Sequence, residues 1–525
     1  MRINLKSYLR PQLASHDATA ITKFKHATIV ALTVCLYACG GGGGSNSSST
    51  TTQPPSPSFP IQENPRAASS PVPTATVSGP VANDAGIKGR PYGTTLDHIA
   101  PLEPYDYIQE EFFFSGTAQD RDDDGALTGG PEAPFTSRIL VKRPKKASDF
   151  NGTVILEWYN NTGQSDSDVL WSAAHDMLMR EGFIHVGVSA QQVGVSGNGP
   201  LALKNWDPVR YAELSHPGDS YAWDVYAQAG RVLFSPDTAP AILGDLVPDR
   251  MIAGGESQSS FRLVAYSDVI QREHVLFDGF FLHTGPVAGK GVDDVGVPVM
   301  HFITETEIDG VLSLEVGGAI LDYTTPVTTA VLPPSPPPYG PDRGLIRVWE
   351  IAGGSHFDKQ LWTYTTAFAA REASSPADLA IEFDQPVFCG LPMNELGQGR
   401  ATAAALHHLN IWVTTGVAPE SRPRLELDDN FRIVRDAAGL PQGGIRLPPV
   451  AAPIGINRGD ECVFWGSFQA FLPIEIQSRY PTHQAYIDAV SAAAMTNVKE
   501  GTLLPEEALL YIQEAEERST YWLSE

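Results

Sequence analysis

Apolar residues along the chain follow two patterns, short runs bounded by Pro, Gly or Asn and longer stretches with helical spacing. Short bounded runs are typical of strands that are buried in a sheet. Runs of this kind lie at residues 138–144, 153–160, 183–190, 250–257, 276–285, 297–307 and 345–354. We therefore expect strands in these segments.

Helical stretches separate several of the predicted strands. Residues 167–182 carry apolar residues at helical spacing and end at a glycine, and residues 220–234 form another such stretch. A further helix is expected directly after residue 257. Strands and helices in alternation favour the α/β fold class, with a mostly parallel central sheet that helices cover on both faces.

The first 38 residues are typical of a targeting segment. Lys23 and Lys25 precede an apolar run, residues 27–38, that is too short to span a bilayer comfortably. The run ends in LYAC and is followed by GGGGGS, which resembles the lipobox of bacterial lipoproteins. This resemblance implies that residues 1–38 are a lipoprotein signal peptide and that Cys39 is lipidated. A plain signal peptide with an incidental cysteine is the alternative.

The sequence after Cys39 predicts a tether and then a globular domain. Gly40 directly follows the cysteine, which by resemblance to Gram-negative sorting signals favours an anchor in the outer membrane. Residues 39–85 are rich in Gly, Ser, Thr and Pro and cannot bury enough apolar surface to offset chain entropy, so we expect a flexible tether. Residues 86–525 form the predicted domain, in the periplasm or at the cell surface, and their C-terminal portion, residues 361–525, is expected to contribute a lid or flank.

Composition narrows the classes of function. The 525 residues are 42% hydrophobic and 18% charged, which is typical of a globular protein. The net charge of −25 repels phosphate backbones and argues against a nucleic-acid partner. We find neither zinc-type Cys/His spacing nor a phosphate loop, so no metal or cofactor is implied. The stretch DRDDDG at residues 120–125 matches the first half of a calcium loop, but Pro131 stands where the bidentate acid belongs, which favours a solvated acidic turn.

Two of the four cysteines are left over for the globular domain. Cys35 lies in the predicted signal and Cys39 at the lipid site, which leaves Cys389 and Cys462 in an exported, oxidising setting. Two remaining cysteines in that compartment favour one disulfide, with two separate buried thiols as the alternative.

Ser257 is the candidate nucleophile. The stretch Gly-Glu-Ser-Gln-Ser at residues 255–259 matches the G-x-S-x-G nucleophile elbow of α/β-hydrolases except at its last position. Such an elbow needs small residues two positions on either side of the serine, because strand and helix nearly touch there. Serine is the next smallest choice after glycine, so the departure weakens the match without removing it.

A nucleophilic serine needs a base and an orienting acid, which in this fold follow in the order Ser, acid, His. The histidines that follow Ser257 are His301, His356, His407, His408 and His483. We expect His356 to be the base, because it follows a predicted strand and two glycines, where a loop presents imidazole over the sheet edge.

The acid has two main candidates. Residues 298–309 resemble the strand of related hydrolases that begins with proline and ends at the catalytic carboxylate, and counting along that pattern favours Glu307. Glu305 is the close competitor and Asp309 a distant third. Glu305 and Glu307 would share one face if the strand continued, so a turn must separate them.

The oxyanion hole needs backbone N–H groups that point to the developing charge. We expect one from Gln258, the residue after the nucleophile, and the other from Asn160 in the loop after VILEW. The alternative is that the asparagines of this loop only shape a turn.

A family resemblance extends beyond the triad. The stretches EWYNNTG, GGESQSS, HFITETE, EIAGGSHFD, VRDAAGLPQGGIRLP, CVFWGSFQAF and YPTHQAYIDAV resemble a bacterial family of α/β-hydrolase domain-containing proteins, over about residues 100–520. The resemblance implies the α/β-hydrolase fold and serine esterase chemistry on an ester substrate of undefined identity. We interpret the protein as a lipid-anchored carboxylesterase. An amidase or peptidase with the same triad, or a non-catalytic binding lipoprotein, is the alternative.

The lipid anchor is testable by one substitution. Cys39→Ala is expected to release the protein from membranes in an active form, because stable anchoring needs the acyl chains of the modified cysteine and every candidate catalytic residue lies beyond residue 150. Membrane fractionation with an esterase assay measures both effects. A Cys39→Ala protein that still sediments with membranes would contradict the lipoprotein interpretation.

The disulfide is testable by mass spectrometry. Alkylation of the exported protein without reductant is expected to leave Cys389 and Cys462 unmodified, and replacing both with serine is expected to lower the free energy of unfolding by about 2–5 kcal/mol. Two alkylated thiols in the untreated protein would refute the pairing.

Overall fold

Nine strands form one central sheet in a computed structural model, which describes residues 65–285, 295–308, 342–373, 387–388, 390–462 and 464–522. All of these residues belong to one compact unit, residues 56–525. The strands of the sheet are β1 (Thr76–Ser78), β2 (Tyr107–Ala118), β3 (Ala133–Pro144), β4 (Thr153–Trp158), β5 (Ile184–Val188), β6 (Arg250–Glu256), β7 (Gly279–His283), β8 (Val299–Thr304) and β9 (Ile346–Ile351).

The sheet is mostly parallel, as predicted. Its order is β1-β2-β3-β5-β4-β6-β7-β8-β9, and the six strands from β5 to β9 in this order run parallel. The strands β1, β2 and β3 form an antiparallel edge. Two small hairpins lie outside the sheet, β10 (Val387–Phe388) with β11 (Leu391–Pro392) and β12 (Gly455–Arg458) with β13 (Ser467–Ala470). The sequence pattern did not reveal β1 and β2. Strand β1 lies within residues 39–85, so the expectation of a flexible tether is wrong for this part of the segment, where pairing with β2 holds the chain in the sheet.

Helices flank the sheet. The α-helices among the described residues are α1 (Arg66–Ser69), α2 (Val169–Arg180), α3 (Gln192–Ser196), α4 (Leu203–Trp206), α5 (Ala222–Val232), α6 (Ala239–Leu243), α7 (Gln258–Ala265), α8 (Gln271–His274), α9 (Glu305–Ile308), α10 (Lys359–Glu372), α11 (Gly399–Thr415), α12 (Pro448–Ala451), α13 (Pro473–Arg479), α14 (His483–Glu500) and α15 (Pro505–Glu517). Among these helices, none is both long and apolar enough to cross a membrane.

The burial of the parallel strands explains why their sequences are runs of apolar residues. Every residue of β4, β5, β8 and β9 is buried, because helices cover the sheet. Helices α2 and α11 pack against each other and both contact β6. Trp158, Trp171 and Trp412 lie fully buried in the same core.

The C-terminal portion is part of the domain wherever the structure describes it. Ile445 donates its N–H to the Glu350 carbonyl at 2.7 Å and accepts from Ala352 N–H at 3.0 Å, so this segment lies directly against β9. Helices α14 and α15 pack against each other. The Pro-rich residues 331–341 lie outside the described residues.

Several other expectations also fall outside the described residues. The predicted signal peptide with Cys39, Asp309 and Cys389 are among them, so the Cys389–Cys462 disulfide stays a prediction. Two described segments are in contact here, since Asn394 donates its N–H to the Trp465 carbonyl at 3.4 Å.

Candidate active site

Ser257 lies at a sharp turn between β6 and α7. Its backbone has φ 53° and ψ −120°, a region that L-residues rarely adopt and that costs about 1–3 kcal/mol. The turn is held on both sides, because Ser257 N–H donates to the His283 carbonyl at 3.0 Å and Phe261 N–H donates to the Ser257 carbonyl at 3.1 Å. The strained turn presents the half-buried serine at the carboxyl end of the parallel strands.

The close approach of β6 and α7 explains the unusual last position of the motif. A Cβ built on Gly255 would lie 2.9 Å from Ser259 Cβ and 3.0 Å from Leu263 Cδ1. Position 255 therefore requires glycine, and the serine at 259 fits because the residue opposite it has no side chain. The departure from G-x-S-x-G is compatible with the turn.

The turn after β8 brings Glu307 to His356. Glu307 Oε1 lies 2.7 Å from His356 Nδ1, and both side chains are buried. Glu307 Oε2 accepts from the N–H of Thr304 at 2.7 Å and from its hydroxyl at 2.6 Å. The carboxylate is therefore fixed by three hydrogen bonds, and Nδ1 of the imidazole carries the proton that it shares with Glu307.

Glu305 faces away from His356. The strand ends at Thr304 and a single helical turn, α9, separates the two carboxylates, as the sequence required. Glu305 Oε1 accepts from Gly353 N–H at 2.7 Å, and Oε2 accepts from Arg435 Nη2 at 2.7 Å and from Gly459 N–H at 3.0 Å. Glu305 thus joins the loop that carries His356 to the C-terminal segment.

The protonated form of His356 is favoured by its neighbours. Burial disfavours the charged ring, but the hydrogen bond that His356 donates to Glu307 and the charges of Glu256 and Glu307 outweigh burial and raise the pKa of His356. The ring also packs against Phe464, with 5.2 Å between the ring centroids.

Sequence reasoning missed Glu256, the residue before the nucleophile. Glu256 is buried, its Oε1 lies 3.4 Å from His356 Nε2, and burial raises its pKa to about 7. Its place as the second residue of the G-x-S-x-G pattern was the available signal, because that residue ends the strand beside the nucleophile.

Asn160 is not placed as a backbone donor to an oxyanion, contrary to the expectation from the sequence. Its N–H donates to the Ser167 carbonyl at 3.0 Å, and its Nδ2 donates to the Glu256 carbonyl at 3.0 Å and to Glu256 Oε2 at 2.8 Å. Every donor of Asn160 is therefore engaged within the protein. Asn160 itself shapes the turn, since its Oδ1 also accepts from Thr162 N–H at 2.9 Å.

Two backbone N–H groups beside this loop and the turn at Ser257 have no acceptor among the described residues. One is that of Asn161, the next residue of the loop, and the other is that of Gln258, the first residue of α7. The first N–H groups of a helix have no partner within the helix. Both groups are near Ser257, because Asn160 holds the loop against the Glu256 carbonyl.

Among the described residues, Ser257 and His356 are not joined by a hydrogen bond. In the part of the chain that the structure describes, Ser257 Oγ makes no side-chain hydrogen bond. Bonds between a nucleophile and its base are often open in free enzymes and close when substrate binds.

The acidic turn at residues 120–125 satisfies its own backbone. Asp122 Oδ1 accepts from the N–H groups of Asp124 at 3.0 Å and Ala126 at 2.9 Å. Across the described residues, no group of three or more His, Cys, Asp or Glu side chains is arranged to hold a metal ion.

Comparison with known proteins identifies one family. The family model described as alpha/beta hydrolase domain matches residues 73–513. No curated protein matches the chain. Among solved structures, the esterase Est22 shares 14% identity with a TM-score of 0.25, covering 40% of this chain and 67% of its own. The rice cell wall degrading esterase LipA from Xanthomonas oryzae shares 13% identity with a TM-score of 0.24, covering 41% of this chain and 51% of its own.

The two carboxylates after β8 are expected to respond differently to the same substitution. Glu307→Gln is expected to lower kcat for ester hydrolysis by about 10³–10⁴, because only the orienting carboxylate fixes the imidazole tautomer. Glu305→Gln is expected to retain most activity and to lower the free energy of unfolding by about 1–3 kcal/mol, because it weakens the contact with Arg435. Steady-state kinetics and denaturant unfolding measure the two effects, and the reverse ranking in kcat would transfer the acid role to Glu305.

Proposed function

Because the chain belongs to the alpha/beta hydrolase domain family, we propose that it is a serine carboxylesterase in which Ser257 is the nucleophile, His356 the base and Glu307 the orienting acid. The observation that carries the proposal is the 2.7 Å contact between His356 Nδ1 and Glu307. This contact leaves Nε2 of the same ring available for a proton. The strained turn at Ser257 supports the nucleophile, since such strain typically accompanies function.

The reaction follows from these positions. As Ser257 Oγ attacks the ester carbonyl, His356 Nε2 takes its proton and the carbonyl oxygen becomes an oxyanion. The C–O bond to the alcohol then breaks, and Nε2 returns the proton to the leaving alkoxide. Water repeats the sequence on the acyl-enzyme, which releases the carboxylic acid and restores the serine. Glu307 stabilises the imidazolium in both halves.

The oxyanion is proposed to bind the N–H groups of Gln258 and Asn161. Both groups are without an acceptor in the described part of the chain. The Gln258 N–H also lies at the positive end of α7, which favours a negative charge. Asn161 thus takes the role of second oxyanion donor, which the sequence analysis had assigned to the preceding residue, Asn160.

A hydrogen bond and an ion pair hold the loop that carries Asn161 in place. Asn161 Nδ2 donates to Asp166 at 2.9 Å, and Asp166 forms an ion pair with the buried Arg138 at 3.1 Å. Pre-organised donors stabilise a developing charge without reorganisation during the reaction. The buried ion pair between Arg138 and Asp166 therefore helps to fix the position of Asn161, whose N–H is one of the two proposed oxyanion donors.

The remaining parts of the proposal concern location. We propose that the mature protein is anchored by Cys39 to the bacterial envelope, in the outer membrane, with the catalytic domain in the periplasm or at the cell surface. The lipobox-like LYAC and the Gly-, Ser- and Pro-rich sequence that directly follows Cys39 support this location.

Loss of either reacting residue is expected to abolish esterase activity. Ser257→Ala and His356→Ala should each lower kcat by about 10⁴–10⁶, and the double variant should be little worse, because triad members act as a unit. Hydrolysis of p-nitrophenyl esters of graded acyl length measures the loss and identifies the preferred chain length. Activity within tenfold of wild type in Ser257→Ala would contradict the assignment.

Labelling with a fluorophosphonate probe tests the nucleophile independently of the substrate, and Ser257→Ala is its control. The probe is expected to label the wild type and not Ser257→Ala. A folded wild-type protein that remains unlabelled would favour the non-catalytic binding lipoprotein, and cleavage of amides in preference to esters would favour the amidase.

A further inference from the structure

A second carboxylate faces the imidazole of His356. Glu307 contacts Nδ1 at 2.7 Å, and Glu256 Oε1 lies 3.4 Å from Nε2 on the other side of the ring. We propose that Glu256 is a positioning residue that stabilises the protonated form of His356 during the reaction. The inference rests on the proposed function, because a proton on Nε2 matters only if His356 is the base.

Burial raises the pKa of Glu256, and two hydrogen-bond donors and the charge of His356 act in the opposite direction. Thr284 Oγ1 donates to Oε1 at 3.2 Å, and Asn160 Nδ2 donates to Oε2 at 2.8 Å. Both partners are donors, which suits a carboxylate that accepts on both oxygens. A protonated Nε2 of His356 would be a third donor, directed at Oε1.

The other titratable groups around Glu256 come from three elements. His356 lies on the loop after β9, Glu307 on α9 after β8, and His283 at the end of β7, where its Nδ1 lies 3.3 Å from Thr284 Oγ1. Glu307 is negative and disfavours a second charge at Glu256, whereas charged His356 favours it. Among the ion pairs between described residues, His356 is the partner of Glu256.

His283 adds little positive charge to this environment. Burial, with a smaller effect from the charge of His356, lowers the pKa of His283 to about 3. His283 is therefore neutral near pH 7. Burial lowers the pKa of His356, and the two carboxylates act against burial and raise it. Glu256 and His356 are close enough to titrate as a coupled pair.

The contact between Glu256 and His356 stabilises the intermediate, in which Nε2 is protonated, more than the resting state, in which Nε2 carries no proton. In the resting state Nε2 of neutral His356 carries a lone pair, which an ionised Glu256 does not stabilise. Once Nε2 has taken the proton of Ser257, the N–H and the positive charge face the carboxylate, and the interaction becomes attractive. An interaction that is stronger in the transition state than in the ground state accelerates the reaction.

The separation of 3.4 Å keeps Nε2 available for transfer. A short hydrogen bond to Glu256 would hold the proton away from the leaving alcohol, whereas the longer contact stabilises its charge without capturing it. The sign of the effect on pH dependence follows directly. A negative charge near Nε2 raises the pKa of His356 and moves the acidic limb of the activity profile to higher pH, so removal of that charge must move the limb to lower pH.

The test is the titration of His356 in Glu256→Gln. The imidazole of His356 is followed by NMR in histidine-labelled protein, with the signal assigned by its absence in His356→Gln. We expect Glu256→Gln to lower the pKa of His356 by about one unit or more, and Glu256→Asp, which keeps the charge, to restore part of the shift. The acidic limb of kcat/KM should move down by the same amount, and kcat on the plateau should fall.

The matched control is Glu157→Gln. Glu157 is also a buried glutamate beside a histidine, with 2.6 Å between its Oε2 and His185 Nε2. This substitution should leave the titration of His356 unchanged, so it separates a general loss of packing from the loss of the charge of Glu256.

The outcomes are distinguishable from failure of the proposed function. The NMR titration does not depend on activity, so it tests the contact even if no ester is hydrolysed. An unchanged pKa of His356 in Glu256→Gln would overturn the inference, as would a loss of activity without a shift of the acidic limb. If Glu256→Gln does not fold, a His356 pKa in Glu256→Asp equal to that of the wild type would overturn it as well.

Discussion

The contact between strand β6 and helix α7 is the constraint on which the site depends. The two elements approach so closely at Gly255 that a Cβ there would lie 2.9 Å from Ser259 Cβ. The chain can reverse within one residue only because Ser257 accepts φ 53°. This reversal lifts the serine out of the core and leaves the first N–H of the helix without an acceptor among the described residues, so the proposed nucleophile and one proposed oxyanion donor come from the same turn.

Buried carboxylates take different roles according to the donors that surround them. Glu307 accepts three hydrogen bonds and faces Nδ1 of His356, whereas Glu305 accepts from Arg435 and from two backbone N–H groups. Glu256 lies between the ring and Asn160, with fewer donors, and burial raises its pKa to about 7. The identity of the partner, and not the residue type, separates the proposed orienting acid, Glu307, from the structural Glu305 and from Glu256 beside the proposed base.

The C-terminal segment holds the histidine loop in place. His356 N–H donates to Thr306 Oγ1 at 3.0 Å, and that hydroxyl donates to the Gly459 carbonyl at 2.7 Å. A Cβ on Gly459 would lie 1.7 Å from the Gly354 carbonyl, so only glycine permits this approach. Residues that are far apart in the chain therefore share one small volume, and the imidazole is positioned by its backbone as well as by Glu307.

The sequence alone is enough to predict the fold class, the elbow at Ser257 and the loop that carries His356, because these depend on local patterns of apolar residues and glycines. It also required a turn between Glu305 and Glu307, since adjacent positions of one strand face cannot have separate partners. Only the tertiary structure decided which carboxylate meets the imidazole, that the N–H of Asn160 is engaged by Ser167, and that Glu256 faces Nε2. The contacts of Glu307 and Glu256 with His356 join residues that are far apart in the chain, and no local pattern specifies them.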